Sequence, residues 1–463
     1  METLSPNLDE AAIQHLRASL RGTLVRPGDD DYEAARRIWN GMIDRKPALI
    51  ARCAATADVI NAINFARTHH LLVSVRGGGH SFAGFSTCDD GLVIDLSPMN
   101  RIEVDPEARL ARVEGGVTWG AFDATTYAHG LGTTGGLMST TGVAGLTLGG
   151  GIGWLMRNYG LACDNLLGIE LVTAQGEVIQ ANSSENQELF WGLRGGGGNF
   201  GIVTTFWFRL HPVSTVTGGL MLFPGTRTPE ILRFYRDYVR DLPDDFTTML
   251  SAITAPNADF VPQDLRGRPA MVLAGCHCGY PDQAERLIKP VRNLGPALDM
   301  FGSMPYPQLQ TLFDEDLPYG IRCYVKAGFC ASLSEAALEC IAEHTRPMTS
   351  AASTFDFHHM GGAVSRVSDD ATAFGDRQSA FCFNIVGLWN EPTKDETHRN
   401  WVREFASALE PFGTGGVYVN FTADADRVRA AYGDEKYQRL QRLKQHYDPT
   451  NLFHLNQNIK PTL

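Results

Sequence analysis

Four clusters of glycine, at 77–79, 115–116, 132–153 and 195–201, constrain this chain more than any other feature. A chain gives up side chains at successive positions where backbone must lie close to something else. Loops of this kind also expose N–H groups that can form anion-binding nests. Four in the first half of one chain therefore point to a large phosphate-bearing cofactor. The total of 48 glycines in 463 residues is only moderately high, against average usage of about 7%; the clustering carries the information. Familiar phosphate motifs do not account for it. "GLTLGGGIGWLMRNYG" (145–160) lacks the Lys-Ser/Thr of a P-loop, and no ribose-binding acid stands at the spacing of a dinucleotide fingerprint.

The remaining composition narrows the function. A chain of 463 residues, 43% hydrophobic and 20% charged, is long enough for two domains of a soluble enzyme. Its net charge of −12 argues against nucleic acid and anionic membranes as partners. No apolar run approaches the ~18 residues of a membrane span. The start, "METLSPNLDEAAIQHLRASLRG", reads as an amphipathic helix and lacks the pattern of a secretion signal. Nine scattered cysteines do not suggest a disulfide framework. The expectation is a cytoplasmic protein, monomer or homodimer, acting on a small molecule.

Along the chain, residues 1–45 read as helical, followed by strand-like runs ("ALIARC", "LLVSVRG", "GLVIDLS", "LARVEGG") around one helix, "TADVINAINFARTHH". "GIELVTAQGEVIQAN" reads as a hairpin. Beyond His211-Pro212, "GRPAMVLAGCHCGYP", "IRCYVKAGFC", "FDFHHMGGAVSRV" and "AFCFNIVGLWN" read as strands of one antiparallel sheet, with helices between them to cover it. The last long helix ends at Asp448-Pro449. The pattern predicts an α+β chain: a cofactor domain over 1–212 with its core at about 45–212, a substrate domain over 213–419, and a segment over 420–463 that returns to the first domain. Cys276, His277 and Cys278 are adjacent on a strand and cannot converge on one ion, so no metal site is expected.

"RGGGHS", "GGLMSTTGVAGLTLGGGIGWLMRNYGLACDNL", "LFWGLRGGGGNFGIVT" and "YDPTNLFHLNQNI" together resemble the berberine bridge enzyme-like flavoproteins of the vanillyl-alcohol oxidase superfamily, in particular the bacterial branch that includes 6-hydroxy-D-nicotine oxidase. The likeness spans nearly the whole chain, and the motifs occur in the family's order. It implies a two-part PCMH-type FAD-binding domain and an antiparallel-sheet substrate domain roofing the flavin ring. It also implies FAD bound covalently through His80. A second, cysteinyl link is expected to be missing: eleven residues before Gly149, where relatives carry the cysteine, stands Met138. Cys163 occupies another position of the pattern and reads as a small buried residue.

The same resemblance assigns cofactor contacts to Arg76, Gly77, Gly78, Gly79, Ser81, Gly84, Thr141, Gly142, Gly145, Gly149, Gly150, Gly151, Gly153, Asn165, Gly201, Ile202, Val203, Asn456 and Asn458. Thr141 stands where relatives control dioxygen access, or is simply a threonine at a strand edge. The tyrosine that plant relatives use as base is Phe421 here, leaving Tyr418 and Asn420 beside it as candidates. Strand alternation sets His358 and Met360 on one face. His358 is either a base or substrate-orienting group or a packed sheet histidine. Cys382 and Asn384 occupy a strand where a plant relative has a catalytic glutamate. The implied activity is an FAD-dependent oxidase: hydride passes from a C–H bond of an amine, alcohol or secondary-metabolite intermediate to flavin N5, and dioxygen becomes hydrogen peroxide. An oxygenase or dehydrogenase of the same fold, and a catalytically silent flavin-binding protein, are the alternatives.

Overall fold

The computed structural model describes residues 8–423 and 427–462. Residues 1–7 of the expected N-terminal helix and residues 425–426 at the start of the last helical stretch lie outside the described residues. The expected helical lead-in is more varied than its composition suggests. Helices Glu10–Ser19 and Tyr32–Arg36 flank a short strand, Thr23–Val25. That strand pairs antiparallel with Leu49–Arg52, so an edge partner overrides local helix preference.

The fold is α+β. Thr23–Val25, Leu49–Arg52, Leu92–Asp95 and Val73–Arg76 form a four-stranded sheet in that order, packed on helix Thr56–Thr68. A second sheet of five antiparallel strands is centred on Ile202–Arg209 and contains the expected hairpin of Leu166–Val172 with Val178–Asn182. The third is an antiparallel sheet of eight strands. It includes two long strands absent from the sequence reading, Thr215–Pro224 and Phe246–Thr254. Both mix glycine or small polar residues with the apolar ones, which blurs the alternation that marks a strand.

The large sheet owes its two-faced character to period-two alternation. Along Thr354–His359, Phe355 and Phe357 join an aromatic core with Tyr235, Phe381, Phe383 and Phe405, under helices Thr228–Tyr238, Pro281–Arg292, Glu335–Thr345 and Asp395–Leu409. Thr354, Asp356 and His358 turn the other way and face a cavity. One face of the sheet is thus committed to its helices and the other is free to roof a site.

Two buried polar clasps tie the parts together, one between the cofactor and sheet halves and one between the C-terminal tail and the cofactor half. Asn40 donates from Nδ2 to the carbonyls of Phe82 (2.8 Å) and Cys323 (2.9 Å). Its Oδ1 accepts from the N–H groups of Met42 and Cys323. At the other end, helix Val428–Tyr447 breaks at Gly433 and delivers Lys444, fully buried, beneath the glycine loop at 195–201. Lys444 Nζ donates to Asn199 O (2.9 Å), Phe453 O (2.8 Å) and Asp448 Oδ2 (2.7 Å). Asp448 in turn accepts the N–H groups of Leu452 and Phe453. Removing one member of such a buried pair leaves an uncompensated charge and costs about 3–5 kcal/mol. Lys444→Met is therefore expected to lower stability by about that amount, read as a fall in the urea midpoint with unchanged slope.

Candidate functional site

A cavity of about 1020 Å³ lies between the glycine loops and the free face of the eight-stranded sheet. Ligand pockets run to roughly 300–1,000 Å³, so this one has room for a large cofactor and a substrate together. Its floor begins where strand Val73–Arg76 ends and the chain enters 77–79. The absent side chains serve the protein first. A Cβ on Gly78 would lie 2.3 Å from Gly142 N, and one on Gly142 would lie 2.4 Å from Gly78 N. The two loops touch backbone to backbone, which sets His80 and Thr141 on the same wall. At Gly145 and Gly198 the outcome differs: a Cβ there would meet nothing, and both residues line the cavity.

His80 sits at the centre of this wall. Its ring stacks on Trp39 (centroids 5.4 Å apart, planes 20° apart) and meets Tyr319 edge-on at 5.7 Å. Nε2 is buried without a partner. Burial pushes the pKa down to about 4, so the imidazole is neutral near pH 7 and keeps a free nucleophilic lone pair. The Tyr319 hydroxyl donates to Gly78 O (2.8 Å), and Trp39 Nε1 donates to Leu317 O (3.0 Å), so a loop of the sheet half closes over the histidine. Asn456 and Asn458 each carry a buried, unpartnered Oδ1, and Asn456 lines the cavity. Orphaned buried polar atoms of this kind call for a ligand or ordered water. Together with the open space at Gly145 and Gly198, they fit a large polar cofactor.

The cavity wall gathers most of the residues expected at the site, but not all. Gly77, Gly79, Ser81, Gly149, Gly201, Ile202 and Val203 line it, as do Met138, His358, Asn384, Asn420 and Phe421. Arg76 does not: its guanidinium donates to Ala35 O and Arg37 O and faces Asp95. Gly84 turns against Ile43, and Gly150, Gly151 and Gly153 face Phe374, Ala162 and the Gly135 carbonyl. Asn165 donates to the carbonyls of Tyr159 and Leu161 while its Oδ1 meets His211, all away from the cavity. Asn458 is not part of the wall.

On the substrate side three more expectations are corrected. Tyr418 is buried behind the wall, where its hydroxyl accepts the N–H groups of Gly151 (3.0 Å) and Ile152 (3.2 Å). It braces the glycine loop and does not line this cavity. Met360 lies beyond the end of its strand, which turns at Gly361 with φ of 81°, and packs with Cys382 in a separate apolar cluster. Cys382 and Cys163 are both fully buried. Asn420, by contrast, reaches the wall while donating to Leu146 O (2.9 Å) and Tyr418 Oη (3.0 Å).

His358 and Asn384 remain as a linked pair. The His358 Nε2 to Asn384 Oδ1 distance is 3.0 Å, and Phe421 lies 5.5 Å from the imidazole, centroid to centroid. Burial lowers the His358 pKa to about 4, outweighing the opposing effect of its hydrogen bond to Asn384 Oδ1. A group that weakly basic suits orientation and hydrogen bonding better than proton abstraction near neutrality. Sequence reasoning overlooked Ser251 and Asp356, which share a cross-strand row with Asn384 and line the cavity. Extending the alternation from His358 back by two residues would have found Asp356.

Residues 47–182 match the family model described as "FAD binding domain", and residues 417–460 match "Berberine and berberine like". An FAD-linked oxidoreductase of Dictyostelium discoideum is 33% identical over 453 residues, covering 96% of this chain and 95% of that protein. The (R)-6-hydroxynicotine oxidase of Paenarthrobacter nicotinovorans is 32% identical, with 96% and 97% covered. Among solved structures, 6-hydroxy-D-nicotine oxidase from Arthrobacter nicotinovorans superposes with a TM-score of 0.85 at 29% identity, over 96% of this chain and 99% of that one. A BBE-like protein of Physcomitrella patens shares the fold, with a TM-score of 0.86 at 23% identity over 97% and 99% of the two chains.

The backbone contact at the wall yields a direct test. Gly78→Ala must push the loops apart, and overpacking of this kind costs about 1–3 kcal/mol. The expected result is a lower melting temperature together with loss of visible flavin absorbance from the purified protein.

Proposed function

The chain belongs to the FAD-linked oxidoreductases of the berberine bridge enzyme-like family, and on that premise we propose that it is an oxidase whose cofactor is tethered through His80 and whose electron acceptor is dioxygen. The observation that carries this reading is His80 itself: a neutral imidazole with a buried, unpartnered nitrogen, held by Trp39 and Tyr319 on the wall of a cavity large enough for FAD. When bound, FAD supplies the two-electron chemistry, taking hydride from a substrate C–H bond and returning the electrons to dioxygen as hydrogen peroxide.

The residues of this chain divide the remaining work. His80 would hold the cofactor by a single bond from a ring nitrogen, since Met138, which also lines the cavity, offers only a thioether where relatives have a second link. The loops at 77–79, 142–149 and 197–201 would present backbone N–H groups to its phosphates. Asn456, with an unpartnered Oδ1, would meet it from the C-terminal tail. Thr141 is no larger than the valine common at its position, which leaves dioxygen a path. His358 and Asn384 on the roof, with Phe421 beside them, would form the surface against which substrate is oriented. The division into a cofactor domain over 1–212, a substrate domain over 213–419 and a returning tail over 420–463 belongs to the same proposal. It is supported by the clasp of Lys444 on Asn199. A reducing, cytoplasmic setting is supported by nine cysteines, all free.

Two measurements test the reading. After acid denaturation, visible flavin is expected in the pellet and on a peptide containing His80. In His80→Ala it should appear in the supernatant, and the flavin potential should fall. Free flavin from the unaltered protein would defeat the tether. For the acceptor, substrate added without oxygen should bleach the flavin, and admitting air should release one peroxide per bleached flavin; reoxidation without peroxide would sink the oxidase.

A further inference from the structure

The cavity has a one-sided charge pattern. Among the described residues no lysine or arginine lines it, whereas Asp314, Glu315, Asp316 and Asp356 do. Asp314 is spent on the seam, accepting from Ser139 N (3.0 Å) and from the Ser139 hydroxyl. Asp356 is different. It lies in the middle of the sheet, on a strand flanked on both sides, and projects from the free face into the void. Thr354 donates to its Oδ2 (2.9 Å). Across the strand pair is Ser251, only 4% exposed, whose Oγ has no partner and also lines the cavity. The surroundings are apolar: Leu220, Met249, Ile253, Val272 and Phe313 complete this end, and Phe260 and Met300, both exposed, stand on the wall toward solvent.

We infer that Asp356 and Ser251 form the binding site for the charged end of an organic cation, and that the substrate is an amine with an apolar body, bound as its ammonium at an end away from the C–H bond that is oxidised. The inference deepens the oxidase reading and rests on it for the site's purpose. A carboxylate in a low-dielectric pocket stays ionised at low cost only when a cation comes to it. The ammonium N–H groups would pair with Asp356, and Ser251 Oγ would accept one more. The hydrocarbon portion would lie along the leucine, valine and phenylalanine surface. Anionic substrates are rejected, since nothing in the wall compensates their charge. Sugars are disfavoured because their hydroxyls would leave most of this apolar surface opposite unpaired groups. The net charge of −12 steers cations toward the protein as a whole.

Burial raises the Asp356 pKa to about 6, against the pull of the Thr354 bond and of the Ser251 hydroxyl, which is near but out of hydrogen-bonding geometry. The other titratable groups around the cavity are His358 on the same strand, His80 and Tyr432 on the cofactor side, and Asp314, Glu315 and Asp316 on the loop of the seam. Above about pH 6 the carboxylate is charged and binds the cation; below it the proton competes.

The test is a binding titration of the flavin-loaded protein, read as perturbation of the flavin absorption spectrum without turnover. The probes are 2-phenylethylamine, 2-phenylethanol and phenylacetate. The amine should bind at least about 30-fold more tightly than the alcohol, phenylacetate should bind most weakly, and Asp356→Asn should abolish the amine's advantage. An alcohol or carboxylate that binds as well as the amine, an amine that does not bind, or an advantage that survives in Asp356→Asn overturns the inference. Should that variant fail to fold, the unaltered protein serves with benzyltrimethylammonium, whose charge cannot titrate. Its affinity should fall about tenfold from pH 7.5 to pH 5 while that of 2-phenylethanol stays level; a flat profile for the cation overturns the inference. Because binding is read apart from turnover, amines that bind as expected but never yield peroxide would defeat the oxidase and leave the cation site standing. Peroxide from alcohols alone would do the reverse.

Discussion

The contact between Gly78 and Gly142 is the constraint on which the site depends. Two loops from different parts of the cofactor half approach so closely that a methyl group on either would lie 2.3–2.4 Å from the other's backbone. At the point of contact neither loop has a side chain, so each backbone is the other's support. The contact brings the end of strand Val73–Arg76 against the start of helix Val143–Leu148. His80 and Thr141 then face the same space because their neighbours at 78 and 142 are pinned. Tyr319 adds a donor to Gly78 O from the opposite half, so the sheet domain is anchored on the same point. Loss of that contact would disturb the cofactor wall and the seam between the halves together.

Burial then sets the electrostatics. The same exclusion of water that lowers the pKa of both His80 and His358 to about 4 raises that of Asp356 to about 6. In each case the neutral form is favoured. The histidines would gain by it, since the proposed tether needs a neutral imidazole as nucleophile at one end, and a neutral ring at the other is a fixed hydrogen-bonding surface. Asp356 does not gain until something positive arrives. A cavity whose three central titratable groups are all biased toward neutrality is primed for a charged ligand at only one of them.

Much of this was legible in the sequence, and the errors have specific causes. The glycine clusters and His80 could be read because close approach and strand ends leave local marks. Phe421 and Asn384 followed from motif position alone. Tyr418, Met360 and Cys382 were placed in the pocket by spacing, but spacing does not report where a strand ends. Met360 keeps the strand's pairing through Ala380 O but packs into an apolar cluster with Cys382 just before the turn at Gly361, and Tyr418 points back into the loop it braces. Arg76 looked like a cofactor contact because it precedes the glycines; its role is to bind the carbonyls of Ala35 and Arg37. Trp39 and Ser251 left no sequence signal, since their importance lies in contacts with residues far away in the chain. Asp356 did leave one, in the alternation that had already identified His358.

The glycine loops and the acidic roof answer the same shortage. With no lysine or arginine among its described lining residues, this cavity would meet phosphate mainly with backbone N–H dipoles, hydroxyls and side-chain amides. That requires loops stripped of side chains, close enough together for several N–H groups to converge. Had cations been used, their field would have reached across the low-dielectric void and opposed a positive substrate. Dipoles act over a shorter range and leave the far end to Asp356. The clustering of glycine at the cofactor end is therefore what allows the substrate end to remain negative.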